Sequence, residues 1–241
     1  MFKLEDIKGI IFDYGGTIDT NGTHWAEVIW DAYVSASVPV TKEQFREAYV
    51  YVERYLAVNP VIKPNHSFND LLKIKTDLQM QYLVDNKMLE DIDKTKSYSL
   101  DISNQCYTFA KNIIEKEKPV LEELRRRYPM VLVSNFYGNV QAVLEDFGLL
   151  RFFDEIIESA VVGVRKPDPA IFGLGVKALG LPAANIVVFG DSHSKDIVPA
   201  TKNGCKTIWL KGKGWGDDDP QATADIIITD FMQIKDIFRL A

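Results

Sequence analysis

The sequence predicts an α/β fold: a parallel sheet with helices on both faces, and a helical domain inserted after the first strand. Three observations carry this. Short apolar runs rich in β-branched residues recur along the chain. Helical patterns alternate with those runs after residue 128. Between the first and second runs, residues 20–115 hold no strand pattern but several helical ones, and a loop of that length without structure of its own would be exceptional. The expected division is therefore a sheet domain built from residues 1–19 and 116–241 and an inserted helical domain over 20–115.

The runs, in order, are Ile7–Phe12, Met130–Val133, Ile156–Ile157 with Ala160–Val162, Ile186–Phe189, Thr207–Leu210, and Ile226–Ile228. Each is too short for a helix and apolar throughout, the pattern of a strand buried on both faces. Helices are expected over Val140–Phe147, from its apolar spacing, and over Pro169–Leu179, which opens on proline and stops at Gly180. Within the insertion they are expected over Trp25–Ala36, Lys42–Leu56, Asn69–Val84 and Gln105–Glu117, with Asn59–His66 as a break.

Composition narrows the function. The chain has 241 residues, 46% hydrophobic and 26% charged, with a net charge of −6. An acidic chain lacks the clustered basic face that nucleic acid demands. The one basic run, Arg125–Arg127, reads as the solvated end of a helix. Cys106 and Cys205 match no metal-site spacing and read as reduced, buried thiols of a cytoplasmic protein. The N-terminus, charged up to Lys8, does not read as a signal peptide. No segment reaches the ~20 apolar residues of a membrane span.

In open parallel sheets, ligands bind beyond the carboxyl ends of the strands. The residues there are Asp13 in "FDYGGT", Ser134-Asn135 in "VLVSN", Lys166 in "VRKPDP", and Asp191 with Asp196 in "GDSHSKD". Asp13 and Asp191 offer the hard oxygens that Mg²⁺ prefers. Ser134 and Lys166 offer a donor and a cation suited to phosphate. Singly, Ser134 reads as a strand-end cap, Lys166 as a surface lysine and Asp191 as a helix cap. In this order, each at a strand end, they read as one site.

With these four motifs the chain resembles the haloacid dehalogenase (HAD) superfamily of hydrolases. The resemblance covers the whole sheet domain, and the insertion resembles the helical cap that family carries after its first motif. It implies a Rossmann-like core and a Mg²⁺-dependent phosphatase acting on a small phosphorylated metabolite through an aspartyl-phosphate on Asp13. It implies Asp13 and Lys166 as catalytic residues. Metal ligands would be Asp13, the Gly15 carbonyl and Asp191, with Asp196 supporting the metal's water shell or Lys166. Gly16, Ser134, Asn135 and Lys166 would hold the phosphate. Nucleic-acid and membrane partners are not expected, and oligomeric state is not readable.

One position departs from the resembling phosphatases. They carry a second Asp two residues after the nucleophile as general acid and base, and here that position is Gly15. Such help is worth ~10²–10⁴-fold, so slower turnover on poor leaving groups is expected, or a substitute: water, a substrate group, Asp19 or His193. Two alternatives stay open. One is the phosphonate-cleaving branch, which needs a cap lysine; lysines stand at 42, 63, 73, 75, 87, 94 and 96, and the sequence singles out none. The other is a non-catalytic protein that senses a phosphate ligand. Asn21, His24 and Trp25 are candidates for the entrance, although Trp25 lies at core-facing helical spacing. The loop Lys211–Pro220 is a further candidate.

Overall fold

A computed structural model describes residues 2–90, 92–212 and 222–240. Its sheet has six strands: β1 (Gly9–Phe12), β2 (Met130–Ser134), β3 (Glu155–Glu158), β4 (Ile186–Gly190), β5 (Lys206–Leu210) and β6 (Ile226–Ile228). They are ordered β3-β2-β1-β4-β5-β6 and every pairing is parallel. β1 is central, with Phe12 alongside Leu132 on one side and Phe189 on the other. From β1 the chain builds outward to β3, then returns and builds outward from β4. The boundary between β1 and β4 is thus the topological switch point, where a crevice opens at the strand ends.

Alternation along the strands divides the core. Ile10, Phe12, Leu132, Val187 and Phe189 join one apolar cluster, while Ile11, Val131, Val133 and Val188 join a second on the opposite face. Both faces are covered, which is why these strands are apolar throughout.

Four helices separate β1 from β2: α1 (Trp25–Ser35), α2 (Lys42–Val58), α3 (Phe68–Asp85) and α4 (Thr95–Arg127). Thr41 and Ser67 open α2 and α3 with reciprocal capping boxes. The helix expected over Gln105–Glu117 is longer in both directions, and α4 runs unbroken for 33 residues with Pro119 inside it. Proline forfeits one backbone hydrogen bond there. Burial of Ile114, Glu117, Val120, Leu121 and Leu124 on one stripe holds the helix through it. α4 packs on α1 and α3, and also on the 3₁₀ turns Leu150–Phe152 and Phe231–Gln233 beside the sheet.

The remaining helices are α5 (Val140–Asp146), α6 (Ser159–Val162), α7 (Ala170–Leu179), α8 (Val198–Lys202) and α9 (Ile234–Phe238), with a π-helical turn at His193–Ile197 before α8. Ala160–Val162 lies in α6 rather than extending β3, because Val161 and Val162 face solvent instead of a neighbouring strand. Arg125 pairs through both guanidinium nitrogens with Asp154, and Arg127 donates to the Phe238 carbonyl at 3.0 Å, so the basic run ties the end of α4 to the sheet layer. Among the described residues, no helix is long and apolar enough to cross a membrane.

Candidate active site

The loop after β1 is shaped by its glycines. Gly16 has φ +97°, and a Cβ there would collide with the Asp191 carboxylate. Only glycine fits that position. Asp19 closes the turn, accepting from the Gly16 amide at 2.7 Å and from the Trp25 indole at 2.9 Å. Burial, with the Asp13 charge adding and these hydrogen bonds opposing, raises Asp19 to about 7.

Asp13 leaves β1 at the switch point and is buried. Lys166 Nζ donates to Asp13 Oδ1 at 2.6 Å and to Asp196 Oδ1 at 2.6 Å. Asp196 Oδ2 accepts from the Ser192 amide at 3.0 Å. The Thr17 hydroxyl lies 3.2 Å from Asp13 Oδ2 and 3.4 Å from Asp191 Oδ1, bridging the two acids. One carboxylate oxygen from each of Asp13, Asp191 and Asp196 falls within 4.8 Å of the others. Trp209 Nε1, from β5, donates to the Asp191 carbonyl at 2.8 Å and anchors that loop.

Two of the three carboxylates, Asp13 and Asp196, thus share the one lysine. Burial and the charges of Asp13 and Asp196 push Asp191 well above the usual carboxylate range. Burial raises Asp196 to about 6, against the opposing charge of Lys166. The two acids outweigh desolvation at Lys166 and hold it protonated. A cluster short of positive charge and rich in hard oxygens fits a divalent cation.

A cavity of about 540 Å³ opens over this cluster, lined by Asp13, Gly15, Gly16, Asn135, Lys166, Asp191 and Asp196 on the sheet side. Asn135 also positions Lys166: its amide nitrogen donates to the Lys166 carbonyl at 3.1 Å and its oxygen accepts from the Lys166 amide at 2.9 Å. Ser134 is buried behind the lining residues Asn135, Phe136 and Tyr137. Gly15 faces open space, with nothing within 4 Å of where a Cβ would stand, and its φ is not left-handed.

The two side chains suggested as substitutes for the missing acid make other contacts, although His193 also lines the cavity. Asp19 points into the turn. His193 Nε2 lies 3.1 Å from the Thr223 carbonyl, and its ring leans on Trp209 at 5.2 Å. Asn21 accepts from the Phe231 amide at 2.7 Å instead of reaching the cavity. His24 and Trp25 do line it. His24 caps α1 by accepting from the Ala26 amide at 3.1 Å, and burial, with the Lys195 charge adding, lowers it to about 4. Its ring is therefore neutral at pH 7. Of the expected loop Lys211–Pro220, residues 213–220 lie outside the described residues.

Three cavity residues carried no local signal. Glu53 on α2, Lys75 on α3 and Tyr137 after β2 meet across the cavity. Each looks ordinary on its own element, and only long-range packing joins them. Thr17 was visible inside "FDYGGT" as the polar residue ending the turn.

Comparison with known proteins identifies the family and the fold. A phosphoserine phosphatase of Thermus thermophilus is 29% identical over 121 residues; the chain spans about half of that relative, 48% of its length, and the match uses 50% of this chain. A phosphoglycolate phosphatase of Pectobacterium atrosepticum is 25% identical over 97% of this chain and 93% of its own. In fold, the chain is similar to the magnesium-bound HAD hydrolase YfnB of Bacillus subtilis, with a TM-score of 0.60 at 18% identity, covering 96% of this chain and 98% of that one. The family profile described as haloacid dehalogenase-like hydrolase matches residues 7–204. The chain belongs to the haloacid dehalogenase-like hydrolases.

Proposed function

We propose that this chain is a Mg²⁺-dependent phosphomonoester hydrolase acting on a small phosphorylated metabolite, with Asp13 as nucleophile. The observation that carries the reading is the floor of the cavity: Asp13 held by Lys166 at 2.6 Å, with Asp191 and Asp196 gathered around it. Asp13, Asp191, Asp196 and the Gly15 carbonyl would hold the ion. Bound there, Mg²⁺ supplies charge neutralisation for a transferring phosphoryl group.

The chain's own residues do the rest. Lys166 fixes the rotation of the Asp13 carboxylate through Oδ1 and neutralises negative charge beside it. A carboxylate oxygen of Asp13 attacks phosphorus, the bond to the leaving oxygen breaks, and an aspartyl-phosphate forms. Water then attacks phosphorus, releases inorganic phosphate and restores Asp13. Gly16, Asn135 and Lys166 line the cavity where the phosphate would sit, with Asn135 holding the Lys166 main chain in place. No side chain at position 15 delivers a proton, so leaving groups that depart as stable anions are turned over best.

The phosphonate-cleaving alternative requires an uncharged lysine as an amine nucleophile. The cap lysine that lines the cavity is Lys75, and Glu53 beside it outweighs burial and holds it protonated. That favours the phosphatase reading. The test is phosphate release from p-nitrophenyl phosphate with and without Mg²⁺, beside Asp13→Asn. Release that needs both Mg²⁺ and Asp13 supports the proposal. Absence of Asp13-dependent release from this ester and from a panel of natural phosphates defeats it and leaves a binding protein.

A further inference from the structure

We propose that Glu53, Lys75 and Tyr137 form the leaving-group subsite, and that their balanced charge selects phosphomonoesters of an uncharged, flat, hydrogen-bonding alcohol, such as a nucleoside monophosphate, over those of a hydroxy acid. The inference rests on the phosphatase reading and deepens it.

The three side chains come from α2, α3 and the loop after β2, and close a triangle. Lys75 Nζ lies 2.5 Å from Glu53 Oε1 and donates to Tyr137 Oη at 3.1 Å. Tyr137 donates to Glu53 Oε2 at 2.7 Å. Lys75 is only 7% exposed, yet it lines the cavity. An ammonium so placed persists only when paired, and here the pair sums to zero.

An ammonium has three donor hydrogens, and the two contacts to Glu53 and Tyr137 leave one for an acceptor on the substrate. The Glu53 side chain keeps 31% exposure; Oε1 is buried against Lys75, and Oε2, which accepts from Tyr137, has a second lone pair for an incoming N–H. A donor and an acceptor side by side match an edge that presents adjacent C=O and N–H groups. The surrounding walls are aromatic: Trp25, Tyr49, Phe68 and Phe136. Such faces pack on a ring. A cavity of about 540 Å³ is within the size that encloses a ligand of that kind.

A carboxylate-bearing leaving group is poorly served. It would meet Glu53 directly and find Lys75 already neutralised. The other cations nearby, Arg165 and Lys195, are exposed at the rim, where solvent and salt screen them.

The experiment compares kcat/KM in Mg²⁺ for uridine 5′-monophosphate, phosphoglycolate and p-nitrophenyl phosphate, using the wild-type protein, Glu53→Gln and Tyr137→Phe. Wild type should prefer the nucleotide over phosphoglycolate by at least about tenfold. Glu53→Gln leaves Lys75 with unbalanced charge and should shift that ratio toward phosphoglycolate by about tenfold or more. Tyr137→Phe, which keeps the ring, should raise KM for the nucleotide more than for the nitrophenyl ester. Preference for phosphoglycolate in the wild type overturns the proposal, as does a ratio that stays within about twofold in Glu53→Gln. If Glu53→Gln does not fold, Tyr137→Phe decides by the same comparison of KM values. Calorimetric titration of Asp13→Asn with each of the two natural esters separates the two readings. Tighter nucleotide binding without turnover in the wild type keeps the subsite and removes the phosphatase; tighter phosphoglycolate binding removes the subsite whatever the turnover.

Discussion

Lys166 Nζ and Asp13 Oδ1 lie 2.6 Å apart although 153 positions separate the residues. The same ammonium reaches Asp196, so one cation orders two of the three clustered acids. Lys166→Met removes both bonds and leaves the cluster without its cation. Turnover of p-nitrophenyl phosphate should fall by about 10²–10³, the usual loss when one preorganised charge-stabilising donor is removed. Steady-state kinetics at saturating Mg²⁺ checks it, and a loss smaller than about fivefold would contradict the role given to Lys166.

Gly15 has room for a side chain and no backbone reason to be glycine. Gly15→Asp should therefore fold normally and place a carboxyl in the cavity. On an alkyl phosphate, whose leaving group needs a proton, kcat should rise by about 10-fold or more, within the ~10²–10⁴ range of general acid catalysis. On p-nitrophenyl phosphate the gain should be far smaller. Equal effects on both esters would mean that proton delivery does not limit turnover.

The crowding of Asp13, Asp191 and Asp196 makes a response to Mg²⁺ readable without catalysis. Ion at ~100 times its Kd stabilises by about 2.7 kcal/mol, or a rise in Tm of roughly 5–10 °C for a chain of this size. Asp191→Asn should raise the Tm of the ion-free protein, because it removes one of three mutually repelling acids. It should also abolish most of the Mg²⁺ response. Thermal melts with and without the ion test both signs.

Glu117 is buried in α4, its Oε2 has no hydrogen-bond partner, and burial, with the charges of Asp19 and Asp230, raises it from 4.5 to about 10. The folded state therefore keeps this proton while the unfolded chain releases it above pH 4.5. Between those values the folded state binds more protons, so stability falls as pH rises. Glu117→Gln cannot titrate. Its stability relative to wild type should grow from near zero below pH 4.5 to on the order of 3 kcal/mol at pH 7. Denaturant melts across pH 4–9 would show it, and a constant difference would refute it.

The expected fold was legible because its physics is local. Strands buried on both faces must be apolar throughout, and their ends must carry whatever the site uses, so β1, β2 and β4 pointed to Asp13, Ser134-Asn135 and Asp191. Helix ends were less legible. α4 passes Pro119 because tertiary burial outweighs the lost hydrogen bond.

The sequence alone determined the sheet order's ingredients, the helical insertion, the family, and the acids and lysine that meet around Asp13. Only the tertiary structure decided what each side chain faces. It committed Asn135 to the Lys166 main chain, turned Asp19 into its own turn and His193 toward Thr223, and left the space beside Gly15 open. It also singled out Lys75 by closing it against Glu53 and Tyr137, 62 positions from the latter. Periodicity tells which way a residue faces on its own element. The partner it meets depends on how distant elements pack, and burial then decides whether that meeting is worth its desolvation.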